Sequence, residues 1–178
     1  MMERMSAASR LPRLTLPSAA LLVLALGAAM LTLFMAPIAY ARIVPQRGIG
    51  DIDLGMTRAE VVRTKGKPDG ERLVRNEIIG PQRMVRYGKT RAFFGGFRRN
   101  AAVVTVNTRD PAERTRSGVG VGSTVAEVRR GVRGIACRNE FGFHTCFKGR
   151  FRPGERVTVF DIARRGRVSL VLIGFVID

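Results

Sequence analysis

Apolar residues recur along this chain at two spacings. Over residues 57–65 and 124–132 they fall three or four apart, with Ala59 and Val62 on one face and Val125, Val128 and Val132 on another. Over residues 92–107 and 158–173 they alternate with polar positions or run on unbroken, and β-branched and aromatic types dominate. The first spacing predicts short helices and the second predicts strands. Each helical segment begins with Thr and carries Glu three residues later: Thr57 with Glu60, and Thr124 with Glu127. That is a capping box, in which two side chains satisfy backbone N–H groups at the helix start. Met56 stands where a hydrophobic staple would reach Val61, and Ser123 has no apolar group for that role. Gly66 and Pro68 end the first helix; Gly131 and Gly134 end the second. Helices of two to three turns are marginal alone, so a sheet is expected beneath them.

The two patterns are copies of one another. "GMTRAEVVR", residues 55–63, and "GSTVAEVRR", residues 122–130, agree at six of nine positions at an offset of 67. Gly55, Thr57, Glu60 and Val61 correspond to Gly122, Thr124, Glu127 and Val128. Downstream, "AFFGGFRRNAAVVTVN", 92–107, aligns with "TVFDIARRGRVSLVLI", 158–173, at an offset of 66, which one loop deletion explains. Each of these segments reads as a hairpin turning at Arg98-Arg99-Asn100 or Arg164-Arg165-Gly166. Val104 and Val106 are expected on one face of the outgoing strand, with Val103 and Thr105 on the other. The last strand, Val168 to Phe175, is apolar on both faces and is expected at the centre of a sheet. Two further strands per copy are predicted from "RLVRNEIIG" with "QRMVRYG", and from "GIACRN" with "FHTCFKG".

The expected fold is therefore α+β, a tandem repeat of a short helix and about four antiparallel strands. The first unit is 48–109, the polar linker 110–117 and the second unit 118–178. Units of some sixty residues bury little surface alone, so they are expected to share a core or pack closely.

Residues 1–41 differ from the rest. Arg4, Arg10 and Arg13 precede an uncharged apolar stretch, and Ala39 and Ala41 form an A-x-A pattern. This is the layout of a secretory signal cleaved after Ala41. The alternative is a retained anchor over residues 14–36, since the stretch approaches the roughly 20 residues that span a bilayer. Either arrangement exports the remainder, to the secreted fraction or the cell envelope. No cysteine stands near the cleavage site, which argues against a lipid-anchored start.

Residues 42–178 hold 28 Lys and Arg against 13 Asp and Glu. Such a charge attracts anionic partners, whether acidic proteins, envelope polymers, lipid headgroups or nucleic acid. The chain has no Trp and two Tyr, thin material for stacking bases. The Arg pairs Arg98-Arg99 and Arg164-Arg165 sit at the two hairpin turns and are candidate contacts for phosphate or carboxylate through their guanidinium forks.

Cys137 and Cys146 are the whole cysteine complement and flank a bend at Gly142. An even count in an exported chain predicts a cross-strand disulfide. Their spacing is not C-x-x-C, against a redox dithiol, and with His144 they would offer three ligands on one hairpin where a structural zinc site takes four. "GVGVGST", 118–124, lacks the Gly-Lys-Ser/Thr of a phosphate-binding loop. Asp51, Asp53, Asp69 and Glu71 flank the first helix without a catalytic pairing. No catalytic residue, metal site or cofactor is expected.

Gly55, Met56, Thr57, Val61, Gly66, Pro68, Tyr87 and Gly88 together resemble the superfamily joining bacterial outer-membrane assembly lipoproteins of the SmpA/OmlA type to secreted β-lactamase inhibitor proteins. The inhibitor proteins carry two such units in tandem. The resemblance implies binding of a protein in the envelope, not catalysis. The chain departs from it in lacking a lipobox cysteine, in having no G-x-P in the second unit and in offering few aromatics. The function expected is an exported, non-catalytic macromolecule-binding module. A membrane-tethered accessory protein held to anionic polymers or lipid is one alternative, and a small secreted enzyme or a nucleic-acid binder is another.

Overall fold

The computed structural model describes residues 42–77, 80–96, 98, 100–140 and 142–177. The signal or anchor segment, residues 1–41, and Arg99 lie outside the described residues. A meander of three two-residue strands comes first: β1 (Ile43–Val44), β2 (Gly48–Ile49) and β3 (Ile52–Asp53). Helix α1 (Arg58–Lys65) follows, then β4 (Gly70–Asn76), β5 (Gly80–Tyr87), β6 (Thr90–Gly95) and β7 (Val103–Thr108). The second copy repeats the plan with α2 (Val125–Gly131), β8 (Ala136–Glu140), β9 (Phe143–Lys148), β10 (Arg156–Ile162) and β11 (Val168–Phe175). The fold is thus α+β, with a short helix and four antiparallel strands in each copy.

Both predicted capping boxes are formed. Thr57 accepts from the Glu60 backbone N–H and the Glu60 carboxylate accepts from Thr57 N–H at 2.8 Å. Thr124 and Glu127 do the same, with the return bond at 2.6 Å. Met56 packs against the core cluster that contains Val61.

The eight long strands form one sheet in the order β4-β5-β6-β7-β11-β10-β9-β8. The two copies meet where β7 pairs antiparallel with β11. Four pairs make this junction: Thr105↔Gly174, Val106↔Ile173, Asn107↔Leu172 and Thr108↔Val171. Val106 and Ile173 are opposed and both buried on the core face, which matches them between the copies at an offset of 67. Across the neighbouring ladders Ala92 opposes Val106 and Thr158 opposes Ile173, so Ala92 matches Thr158 at 66. An offset of 66 carried through the whole hairpin would instead match Val106 to Leu172, which lies on the other face of the sheet. The second hairpin is one residue longer than that alignment allows.

One face of the sheet builds the core. Val85, Ala92, Val106 and Ile173 form one row across it, and Thr90, Thr108, Val171, Phe160 and Cys146 the next. Ile43, Ile49, Ile52, Leu54, Val61, Val128 and Val132 pack on this face from the meander and the helices. Helix α1 buries Val61 and α2 buries Val128, the same position in the two copies. Phe94 and Phe160 are the largest fully buried side chains among the described residues, and truncation of either to Ala would cost about 3–5 kcal/mol. The expected alternation along β7 is broken. Val103 and Val106 are both buried in the core, because a bulge opposite Phe93–Phe94 shifts the register between them. The central place predicted for β11 holds, but only its core face is fully buried: Val171 and Ile173 are sealed while Leu170 and Leu172 stay partly exposed. At Gly174 a Cβ would meet Thr105 Oγ1 at 3.0 Å, so the β7–β11 junction is tight.

Candidate binding face

The opposite face of the sheet carries no packed layer among the described residues. Its longest row runs Gly70, Arg86, Arg91, Asn107, Leu172, Val159, Phe147, Ala136. Arg86 and Arg91 are exposed, and Asn107, Leu172, Val159 and Phe147 are partly exposed. The adjacent row adds Arg72, Met84, Phe93 and Thr105 on one side, and the next adds Leu170, Asp161, Thr145 and Arg138 on the other. The face is therefore largely apolar across β11, β10 and β9, with Phe93 of β6 set apart by the polar Thr105 and Asn107 of β7, and with arginines at both margins. At one margin Phe147 and Phe151 meet edge to face with centroids 4.9 Å apart, and the Arg138 guanidinium stands 4.3 Å from the Phe147 ring centre. Phe151 is 53% exposed. Burial among these strands pushes the Asp161 carboxyl above its usual value, and nearby Arg109 works the other way.

The hairpin-turn arginines are elsewhere. Arg98, Arg164 and Arg165 are exposed, with no ion-pair partner among the described residues. Because β7 and β11 run antiparallel, the two turns lie at opposite ends of the sheet. The fold does not bring the Arg pairs together.

Cys137 and Cys146 face one another across β8 and β9 and are joined at 2.07 Å. The bond lies on the core side, where Cys146 is fully buried beside Phe160. Neither thiol is free, so neither cysteine is available as a metal ligand beside His144. His144 is a half-exposed strand residue opposite Asn139.

The acids around α1 have structural partners. Asp53 accepts from Arg47 at 2.7 Å, and Asp69 accepts from the Gly88 N–H at 2.6 Å. Glu71 is clasped by Arg58 Nη2 at 2.7 Å and by Arg83, which ties the first turn of α1 to β4 and β5. The Arg58 hydrogen bond, more than any other contact, holds the Glu71 carboxyl below its ordinary range. Glu113 behaves oppositely. It is buried beside Gly50, 3.2 Å from Arg42, and burial raises its carboxyl above the ordinary value against the pull of that arginine.

Sequence reasoning singled out the turn arginines and missed Arg72, Arg86, Arg91 and the Phe147–Phe151 pair. The hairpin around Gly88-Lys89 was the available signal, since it sets Arg86 against Arg91.

No family model matches the chain, and no curated protein matches it. Among solved structures it is similar to a DUF4309 family protein (YjgB) from Bacillus subtilis subsp. subtilis str. 168. That likeness has 12% identity and a TM-score of 0.44, over 78% of this chain and 90% of that one. A likeness of that size carries nothing about function.

Proposed function

We propose that this protein is an exported, non-catalytic binding module whose contact surface for a macromolecular partner is the open face of its eight-stranded sheet. The observation that carries the reading is the row Leu172–Val159–Phe147 with Leu170, apolar side chains left partly exposed in a contiguous strip across β11, β10 and β9. A contiguous apolar strip with a charged rim is the composition of a protein contact surface. The disulfide agrees with an oxidising compartment, as the signal-like N-terminus does. The resemblance to envelope assembly lipoproteins and secreted inhibitor proteins supports a binding role.

Photo-crosslinking in the exporting cell tests this. A crosslinker at Leu172 or Val159 on the open face is expected to trap one protein, and a crosslinker at Arg63 on α1 is not. Leu172→Asp should abolish the adduct formed from Val159. Equal trapping from both sides of the molecule would refute the reading. The alternative, attachment to an anionic polymer or lipid, is favoured by Arg98, Arg164 and Arg165 at the turns, which have no ion-pair partner among the described residues. It predicts retention in envelope fractions that disappears with salt and with Arg98→Gln, Arg164→Gln and Arg165→Gln together.

A further inference from the structure

Three arginines at one margin of the open face are placed in a way that works against the fold. Arg86 and Arg91 stand directly opposite each other on β5 and β6, and Arg72 stands opposite Met84, diagonal to Arg86. Like charges directly opposite in a ladder are destabilising. Among the described residues no carboxylate lies within ion-pair distance of any of the three. Glu71, the nearest acid along β4, is held on the other side of the sheet by Arg58 and Arg83. Arg86 Nη2 donates a long hydrogen bond, 3.4 Å, to the Asp69 carbonyl.

The three line a cavity of about 250 Å³ with Gly70, Glu71 and Met84. Met84 points away from the hydrophobic core yet is only 5% exposed. Apolar arginine stems cover such a floor while their charged ends stay at the mouth. Guanidinium forks around a small cleft are suited to paired N–H···O bonds with a carboxylate. The row that holds Arg86 and Arg91 continues into Leu172, Val159 and Phe147 without changing face. One surface therefore offers cations at one end and apolar side chains at the other. A polyphosphate or nucleic-acid strand complements the first part alone.

We propose that Arg72, Arg86 and Arg91 form a carboxylate-binding site that takes the acidic side chains of a protein partner seated on the open sheet face. The proposal rests on the reading of that face as the contact surface, and names the chemistry of what sits there. The repulsion between Arg86 and Arg91 is relieved when the partner's carboxylates enter.

The test uses the oxidised protein and a fluorescent acidic-apolar peptide, Glu-Leu-Glu-Phe-Glu, capped at both ends. Inorganic polyphosphate and vesicles of equimolar phosphatidylcholine and phosphatidylglycerol serve as the other arms. Arg86→Gln with Arg91→Gln should weaken the peptide by roughly tenfold or more, since each charge-assisted bond lost is worth about that factor. Arg164→Gln with Arg165→Gln removes the same charge elsewhere and should change binding by no more than about twofold, a long-range screened effect. Equal losses from the two double variants would overturn the proposal. So would the same selective loss for polyphosphate or vesicles without one for the peptide. Melting gives an independent readout: the Arg86/Arg91 variant should melt at or above the parent temperature. A lower melting point would assign the arginines to the fold and overturn the proposal. Leu172→Asp separates the two levels. If it abolishes peptide binding while the Arg86/Arg91 variant does not, the contact face stands and the carboxylate site falls. If neither variant affects binding, both fall. If the arginine variant alone loses binding, a protein partner on the sheet face is ruled out and a bare anion site remains.

Discussion

Replacing the disulfide tests how the outer edge of the sheet is held. β8 is the terminal strand of the sheet, paired among the described residues with β9 alone, and the cystine joins the two at opposed positions with a sequence separation of nine. Closing a loop of about ten residues removes roughly 9 cal/mol/K from the unfolded chain, or about 2.7 kcal/mol at room temperature. The variant Cys137→Ala/Cys146→Ala keeps both positions uncharged and removes only the sulfurs, one of them buried against Phe160. The expected loss of stability is therefore about 2.7 kcal/mol with a small packing loss added, and a melting temperature lower by roughly 10 °C for a domain of this size. Hydrogen exchange adds a location. Amides of β8 and β9 should exchange up to about a hundredfold faster, the factor matching that free energy. β4 and β5, at the far edge, should change only through the global transition. A loss below about 1 kcal/mol, or faster exchange appearing at β4 rather than β8, would refute the assignment of the cystine as an edge staple.

Other outcomes follow from single side chains. Glu71→Gln removes the carboxylate shared by Arg58 and Arg83 and should cost about 1–2 kcal/mol at neutral pH, discounted for partial exposure. Because the folded carboxyl of Glu71 is depressed, this contribution is present above its unfolded value and is lost as pH falls through the folded one; urea titration at several pH values reads the slope. Glu113 has the opposite sign: its folded carboxyl is raised, so its contribution is complete below the unfolded value and stability is lost as pH climbs through the folded one. Glu113→Gln should remove that decline, and an unchanged slope would exclude Glu113 as its source. Thr57→Ala and Thr124→Ala should each cost about 1 kcal/mol of stability in chemical denaturation. Belonging to separate helices, they should add in the double variant, and a marked departure from additivity would show that the helices are coupled.

The two helices were legible because their information is local. A Thr and a Glu three residues apart specify a cap whatever surrounds them, and Thr57 and Thr124 do so identically. The cystine was legible because Cys137 and Cys146 lie evenly about one bend. The meander over residues 43–53 was not, since two-residue strands have no period and the turns depend on positive φ at Gln46, Gly50 and Asp51. Nor was the bulge that places Val103 and Val106 on one face, because it is a property of the pairing with β6. The union of the copies through β7 and β11 joins residues more than sixty apart, and no neighbouring sequence encodes it. The same holds for the candidate site. Arg72, Arg86 and Arg91 are scattered positions in a chain rich in arginine until strand register sets them on one face.

That union has a consequence for how the protein unfolds. Ile43 and Arg42 donate backbone N–H groups to the Arg114 carbonyl, at 2.9 Å each, so the first strand is tied to the linker. Gln46 reaches further, donating from its backbone to Thr158 Oγ1 at 2.6 Å and from its side chain to the Arg156 carbonyl at 2.9 Å. The start of the first copy is thus bonded to β10 of the second, while β7 borrows its outer neighbour, β11, from that copy too. Phe94 and Phe160, the largest buried side chain of each half, belong to one continuous core. A fragment ending near residue 109 would lose the β11 ladder and the Gln46 anchors, and would expose the Val106 row. Sixty-residue units already bury too little to spare this much. The two copies should therefore unfold in one step, although they are repeats. Tyr87 fluorescence reports on the first copy, and exchange at β10 amides reports on the second. Coincident urea transitions by the two probes are expected. A first copy that melts at lower urea while β10 stays protected, or a dispersed NMR spectrum from residues 42–109 alone, would show two independent domains and refute the shared core.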